Sequence, residues 1–398
     1  MTPPALQVHD ICDYICDFLQ SQTDLRACSL ISPVFTSAAQ YHLFREINLT
    51  PVEWQSFKPD GITRTVTSES DVAKLSRRLG ALLAKSPHLI RFIRRLRISF
   101  EHDVLVHLSR VPFTHVGTIL LRAPMSDRPQ HSASSLAAPL IALPSVRRLK
   151  LSSIVFEDMN SLRRLFHLCT SSFDRVLLDD VDLSNSLGAS SARCTEGSGD
   201  GQHVMLKAVE ISGYSPSREP PGWLVHPLCP FNFSKLADLG IWSRTSPDII
   251  DLMRSARLSL HTLRIDALEA TPDFKLTEFP ALKKLDVFGG FGNATAAAGL
   301  LASVSDTRLR LEKLNLRLVV MRTLDDESLL RLDTIVASGL HLPALRSVHV
   351  LVTRVSYSGV DAAQFVKLME GVRALFPRLD TRGYLRVSYF IEGVRTEI

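Results

Sequence analysis

The chain has 398 residues, 45% of them apolar, and a formal net charge of +5. That length holds two or three ordinary domains, or one small domain and a long repeat array, and the charge is too small to imply nucleic acid by itself. The longest uncharged run, Val287–Ser305, carries four glycines with several Ser and Thr residues, which is too polar for a membrane span.

The first fifty residues read as three short helices with more apolar surface than so small a unit can bury. Ile11, Ile15, Phe18 and Leu19 recur at helical spacing on the first helix, so they share a face. Thr23-Asp24 restart the chain, and Leu25, Cys28, Leu30 and Ile31 carry the second helix. Ser32-Pro33 is a helix-start pair, because proline at a first helical position loses no hydrogen bond. Phe35, Ala38, Ala39, His42, Leu43 and Phe44 follow on the third helix. The surplus apolar surface points to a docking face.

This segment resembles an F-box. The runs that carry the resemblance are Ile15–Leu19 (ICDFL), Asp24–Ile31 (DLRACSLI) and Tyr41–Leu49 (YHLFREINL). The family's usual Leu-Pro before the first helix is Gln7-Val8 here. Its Cys-Arg-x-Trp is Ser32-Pro33-Val34-Phe35, which keeps an aromatic ring. The resemblance implies that these helices bind the adaptor of a cullin–RING ubiquitin ligase. Ile11, Ile15, Leu19, Leu25, Phe35, Leu43 and Phe44 are the candidates for that face, shared between internal packing and contact.

Residues 51–71 are polar, with Pro51, Pro59 and Gly61, and read as a linker. Val72–Leu89 has a helical pattern. A hexad then recurs, with apolar residues at its first, fourth and sixth positions. Ten copies run from Ile93-Leu96-Ile98 to Leu345-Val348-Val350, at steps of 22 to 34 residues between middle anchors. The last two anchors alternate as one buried strand face requires. Several gaps open with helix starts, as at Ser246-Pro247-Asp248 and Asp325-Asp326-Glu327, and Asp361–Phe376 reads as another helix.

Strand, turn, helix and return at this period resemble a leucine-rich repeat. The family's turn Asn or Cys, five residues past the middle anchor, is replaced here by Ile154, Val181, Tyr214, Leu268 and Val319, so irregular turns are expected. Arg122–Pro139, rich in Pro and Ser, interrupts the array. Asn185–His203 has almost no apolar content and reads as a disordered loop. Tyr384–Val387 reads as a closing strand.

The expected fold class is therefore α/β. A three-helix F-box-like unit (residues 1–50) and a linker (51–71) precede an irregular leucine-rich-repeat-like solenoid with a parallel sheet (72–398).

The residues argue against several chemistries. His9, Cys12 and Cys16 share a helix face near Cys28, but without a paired Cys-x-x-Cys they read as small apolar packing residues and not zinc ligands. Gly289-Gly290-Phe291-Gly292 sits where a dinucleotide fingerprint would lie, but Thr295 stands at its third glycine. No nucleophile elbow and no His-Glu-x-x-His occur. The expectation is a binding protein with no catalytic residues, metal or cofactor. Six scattered cysteines suit a reducing compartment, and no basic leader precedes Asp10 and Asp13. Both point to the cytoplasm or nucleus, away from membranes.

A substrate receptor of a ubiquitin ligase fits these features, with adaptor and cullin at the helices and a target protein on the solenoid. A scaffold whose helices only cap the solenoid, or an enzyme with a dispersed site, are the rivals. The variable strand positions of the early copies supply Arg95, Arg97, Arg122, Arg148, Lys150 and Arg175, and Lys74 to Arg97 holds eight basic residues and no acid. Arginine forks match carboxylate and phosphate, so an acidic or phosphorylated target segment is expected there. Nucleic acid is disfavoured, because no aromatic residues are interleaved with these arginines. Later copies offer Trp242, Asp266, Asp286, Phe288 and Arg317, a mixed surface.

Overall fold

A computed structural model describes residues 8–19, 21–51, 53–58, 61–66, 69–123, 133–169, 173–184, 203–213, 222–242, 246–266, 274–291, 294–302, 309–320, 326–338, 342–354, 362–391 and 394–397. The chain forms two compact units, residues 1–204 with 228–230 and residues 205–227 with 231–398. Each alternates strands with helices and is built on a mainly parallel sheet, so the α/β class expected from the sequence holds. No helix among the described residues is long and apolar enough to cross a membrane.

The N-terminal unit begins with α1 (Val8–Phe18), α2 (Gln22–Ile31) and α3 (Pro33–Phe44). Ser21 caps α2 by accepting from the Thr23 and Asp24 N–H groups. Ser32 caps α3, with Pro33 at its first position, as its dipeptide predicts. Strand β1 (Glu46–Leu49) follows directly. Within the stretch read as a linker, β2 (Glu53–Lys58) and β3 (Gly61–Val66) pair as an antiparallel hairpin.

Then come α4 (Glu69–Lys85), β4 (Arg95–Ser99), α5 (His102–Leu108), β5 (Thr118–Arg122), α6 (Ala133–Ile141) and β6 (Arg148–Ser152). The unit continues with β7 (Val155–Phe156), α7 (Met159–Phe166), β8 (Arg175–Asp179) and β9 (Asp182–Leu183). Strands β1, β4, β5, β6 and β8 pair in that order, all parallel. The middle anchors fall in one register row, Leu96, Ile119, Leu149 and Val176, and the last anchors in the next, Ile98, Leu121, Leu151 and Leu178. All of them are buried. Helix α6 occupies the end of the Pro/Ser-rich interruption. It buries Ala133, Ala137, Ala138, Leu140 and Ile141, and this burial overrides the poor helix propensity of Pro139.

Strand β10 (Val204–Met205) lies at the division between the units. The C-terminal unit then holds β11 (Ala208–Ser212), β12 (Phe231–Asn232), β13 (Asp238–Ile241), α8 (Pro247–Ser255), β14 (Thr262–Asp266), β15 (Lys284–Phe291) and α9 (Ala294–Ala302). It ends with β16 (Lys313–Val320), α10 (Asp326–Ala337), β17 (Ser347–Arg354), α11 (Ala362–Val372), α12 (Pro377–Thr381), β18 (Leu385–Ile391) and β19 (Val394–Glu397). Parallel pairing runs β11, β13, β14, β15, β16, β17, β18, and β19 closes antiparallel on β18. The middle anchors Val209, Leu239, Leu263, Leu285, Leu314 and Val348 again form one row, extended by Leu385. Every anchor of the ten hexads is buried.

The turns after three strands share one device. Ser153, Asp180 and Gly213, each four residues past its middle anchor, have φ of 54°, 56° and 85°. The chain reverses there through the left-handed region, and Ile154 and Val181 turn inward and are buried. These apolar side chains replace the polar turn residue of the repeat pattern. Residues 185–202, most of the stretch read as a disordered loop, lie outside the described residues, as do Gly292 and Asn293.

Candidate functional site

The three N-terminal helices meet through small side chains. Cys12 and Cys16 of α1 pack on Leu25 of α2 and on Ala38 and Ala39 of α3, and all five are buried. Burial, then the neighbouring Cys28 and Cys12, push the Cys16 thiol above its ordinary value, so it packs as a neutral apolar group. Among the described residues no three His, Cys, Asp or Glu side chains are grouped to hold a metal ion.

Because this interior is made of small residues, the bulky ones face outward. Ile11, Tyr14, Ile15 and Phe18 on α1 are 45%, 65%, 41% and 68% exposed, and Leu30 and Ile31 at the end of α2 are 87% and 68% exposed. Tyr14 and Phe18 pack edge to face, with centroids 4.8 Å apart. Of the seven residues expected to serve the adaptor face, Ile11 and Ile15 lie on this surface. Leu19, Phe35 and Leu43 are half-buried against the core, Phe44 is half-buried, and Leu25 is a core residue. The expected set leaves out Tyr14, Phe18, Leu30 and Ile31. Tyr14 stands three residues from Ile11 and four from Phe18, so helical spacing alone could have placed it there.

The second surface is the outward face of β1, β4, β5, β6 and β8. Register sets Glu46, Arg95, Thr118, Arg148 and Arg175 in one row, and Asn48, Arg97, Leu120, Lys150 and Leu177 in the next. Arg122 pairs in register with Ser99 and Ser152, in a row that ends at Asp179. All six expected basic residues therefore do share one face. Part of their charge is answered locally. Glu46 pairs with Arg95 and Arg97, and Asp179 lies 2.9 Å from Lys150 and accepts from Ser152 Oγ at 3.0 Å. Arg122 and Arg148 are exposed and have no ion pair among the described residues.

The outward strand face of the C-terminal unit is a connected network. Arg264, with a side chain only 13% exposed, reaches Asp238 at 2.6 Å and Glu210 at 3.4 Å. It passes over Gly240, where an added Cβ would stand 3.7 Å from its guanidinium carbon and 3.3 Å from Glu210. Glu210 in turn accepts from Trp242 Nε1 at 2.9 Å. Phe288 meets the Trp242 ring edge to face at 6.2 Å, and the Arg317 guanidinium lies 5.8 Å from that ring. Buried Asp286 accepts from Asn315 and Lys284. His349 Nε2 is 2.7 Å from Ser388 Oγ, but Ser388 is fully buried, so this pair offers no accessible nucleophile.

No protein-family model matches the chain, and no curated protein matches it.

Proposed function

We propose that the chain is a substrate-recognition subunit of a cullin–RING ubiquitin ligase of the F-box type. The α1–α2 surface would hold the adaptor, and the strand faces of a leucine-rich-repeat-like solenoid would hold the target. The observation that carries the reading is the set of exposed bulky apolar side chains, four on α1 and two at the end of α2, outside a core of cysteines, alanines and Leu25. Exposed apolar patches of this kind mark protein interfaces. The chain would make no bonds itself. It would raise the effective concentration of the target near a ubiquitin-loaded enzyme. The basic face of the N-terminal unit suits an acidic or phosphorylated target segment.

One observation favours the rival scaffold reading. Strand β1 follows α3 directly and pairs with β4 through Glu46–Leu49, and Tyr41 of α3 meets Phe92 at 6.4 Å. The helices are thus continuous with the sheet, as a cap would be. Deleting residues 1–49 would strip a strand, so point substitutions make the cleaner test. The double variant Phe18→Asp, Leu30→Asp changes only exposed positions. Adaptor and cullin should co-purify with the wild-type chain and be lost with this variant, at an unchanged melting temperature. A wild-type chain that captures no adaptor, with a double variant that melts early, would establish the cap.

A further inference from the structure

Among the described residues of the outward face of the C-terminal unit, four acids are already engaged. Glu210 and Asp238 hold Arg264, Asp286 holds Lys284 and Asn315, and Asp266 also has a partner. Three exposed cations on the same face have no ion pair among the described residues: Lys313 and Arg317 on β16, and Arg386 on β18. Lys313, Asn315 and Arg317 alternate along β16, so their side chains stand on one side of the sheet. Arg386 lies in the register row of Asn315 and His349.

Arg317 is also pre-oriented. Its guanidinium lies over Trp242, whose ring is fixed by the Glu210 hydrogen bond and by the edge contact with Phe288. Glu210 is itself fixed by Arg264. A cation held on an aromatic shelf loses less freedom on binding an anion than a free one does.

We propose that this face binds an extended acidic peptide segment, with Arg317 on its Trp242 shelf as the principal anion anchor and Lys313 and Arg386 as flanking ones. Lys313 and Arg317 are four strand residues apart, about 13 Å. Acids two and four residues apart on an extended peptide span about 7 and 13 Å, so such a segment lying along β16 meets both cations. The anion is a carboxylate or a phosphate, and the two sources are separable by experiment. The inference names the target chemistry under the reading above, but it is measured on the isolated chain. Loss of peptide binding with adaptor capture intact overturns this inference alone, and the reverse overturns the adaptor reading alone.

The test is fluorescence anisotropy of the full-length protein with labelled peptides of alternating Glu and Ala, or phosphoserine and Ala, and with a thymidine oligonucleotide. Binding to either peptide, weakening with added salt, is expected, and the preferred peptide identifies the anion. The triple variant Lys313→Ala, Arg317→Ala, Arg386→Ala should bind about tenfold more weakly. Trp242→Leu removes the shelf and leaves the charge, so several-fold weaker binding by that variant separates a preorganised site from bulk charge. Arg317→Lys keeps the charge but loses the planar fork, and its weaker binding carries the test even if the triple variant melts early. No binding by the wild type, unchanged binding by Arg317→Lys and the triple variant, or tighter binding of the oligonucleotide than of both peptides would each overturn the proposal. So would binding that is lost only on charge reversal of Arg122 and Arg148.

Discussion

Asp158 fixes where α7 begins. Its backbone is extended, with φ of −152°, and its carboxylate accepts from the Ser161 N–H at 2.7 Å. Burial pushes this carboxyl up, but the Ser161 backbone hydrogen bond and the Arg164 charge outweigh it, leaving it below its ordinary value of 3.8. A group depressed in the folded state stabilises the protein above its unfolded value, and that contribution is lost as pH falls through the folded one. Asp158→Ala should therefore cost about 1 kcal/mol at neutral pH, measured by urea unfolding. The difference from wild type should shrink below pH 3.8. Asp158→Asn should keep most of the cap and lose the pH dependence. The sequence alone does not mark this cap, because Glu157 and Asp158 stand side by side and the second residue of the helix, Asn160, is a weak former.

At the scale of elements, the strands and several helix starts were legible. Ser246-Pro247 opens α8, where Ser246 Oγ accepts from Ile249 N–H at 3.3 Å, and α10 begins with Asp326 and Glu327. The turns were not legible, because the left-handed residue falls one position before the slot where the repeat pattern puts its polar residue. At that position stand Ser153, Asp180 and Gly213, one for each of three turns. The left-handed region costs a residue with a Cβ about 1–2 kcal/mol. Ser153→Gly should then be neutral or stabilising by up to about 1 kcal/mol, offset by the greater freedom of glycine in the unfolded chain. Gly213→Val should lose about 1–2 kcal/mol or more, because a β-branched side chain tolerates this region worst. Parallel urea titrations should show a lowered midpoint for Gly213→Val and an unchanged or raised one for Ser153→Gly.

At the scale of the whole molecule, the repeated anchors make each sheet a continuous apolar layer. Leu263 sits in register between Leu239 and Leu285 and is fully buried. Leu263→Ala should destabilise the C-terminal unit by about 2–5 kcal/mol, the usual range for a buried leucine, read by calorimetry. If the proposed reading holds, the variant leaves adaptor capture intact, because the exposed α1 side chains belong to the other unit.

The sequence by itself determined the positions of the ten hexad strands, because alternating apolar residues suit a buried strand face, and every hexad anchor is buried. It also determined that the early arginines share a face, since period-two geometry fixes side-chain direction once strands lie in register. Only the tertiary structure decided which of those charges are answered. Glu46 reaches Arg95 and Arg97 from a strand about fifty residues earlier in the chain, which no local pattern reveals. It likewise decided which side of α1 faces outward. Both sides of that helix are apolar, and the small Cys12 and Cys16 side turned inward because close helix packing against Ala38 and Ala39 admits no bulkier side chain.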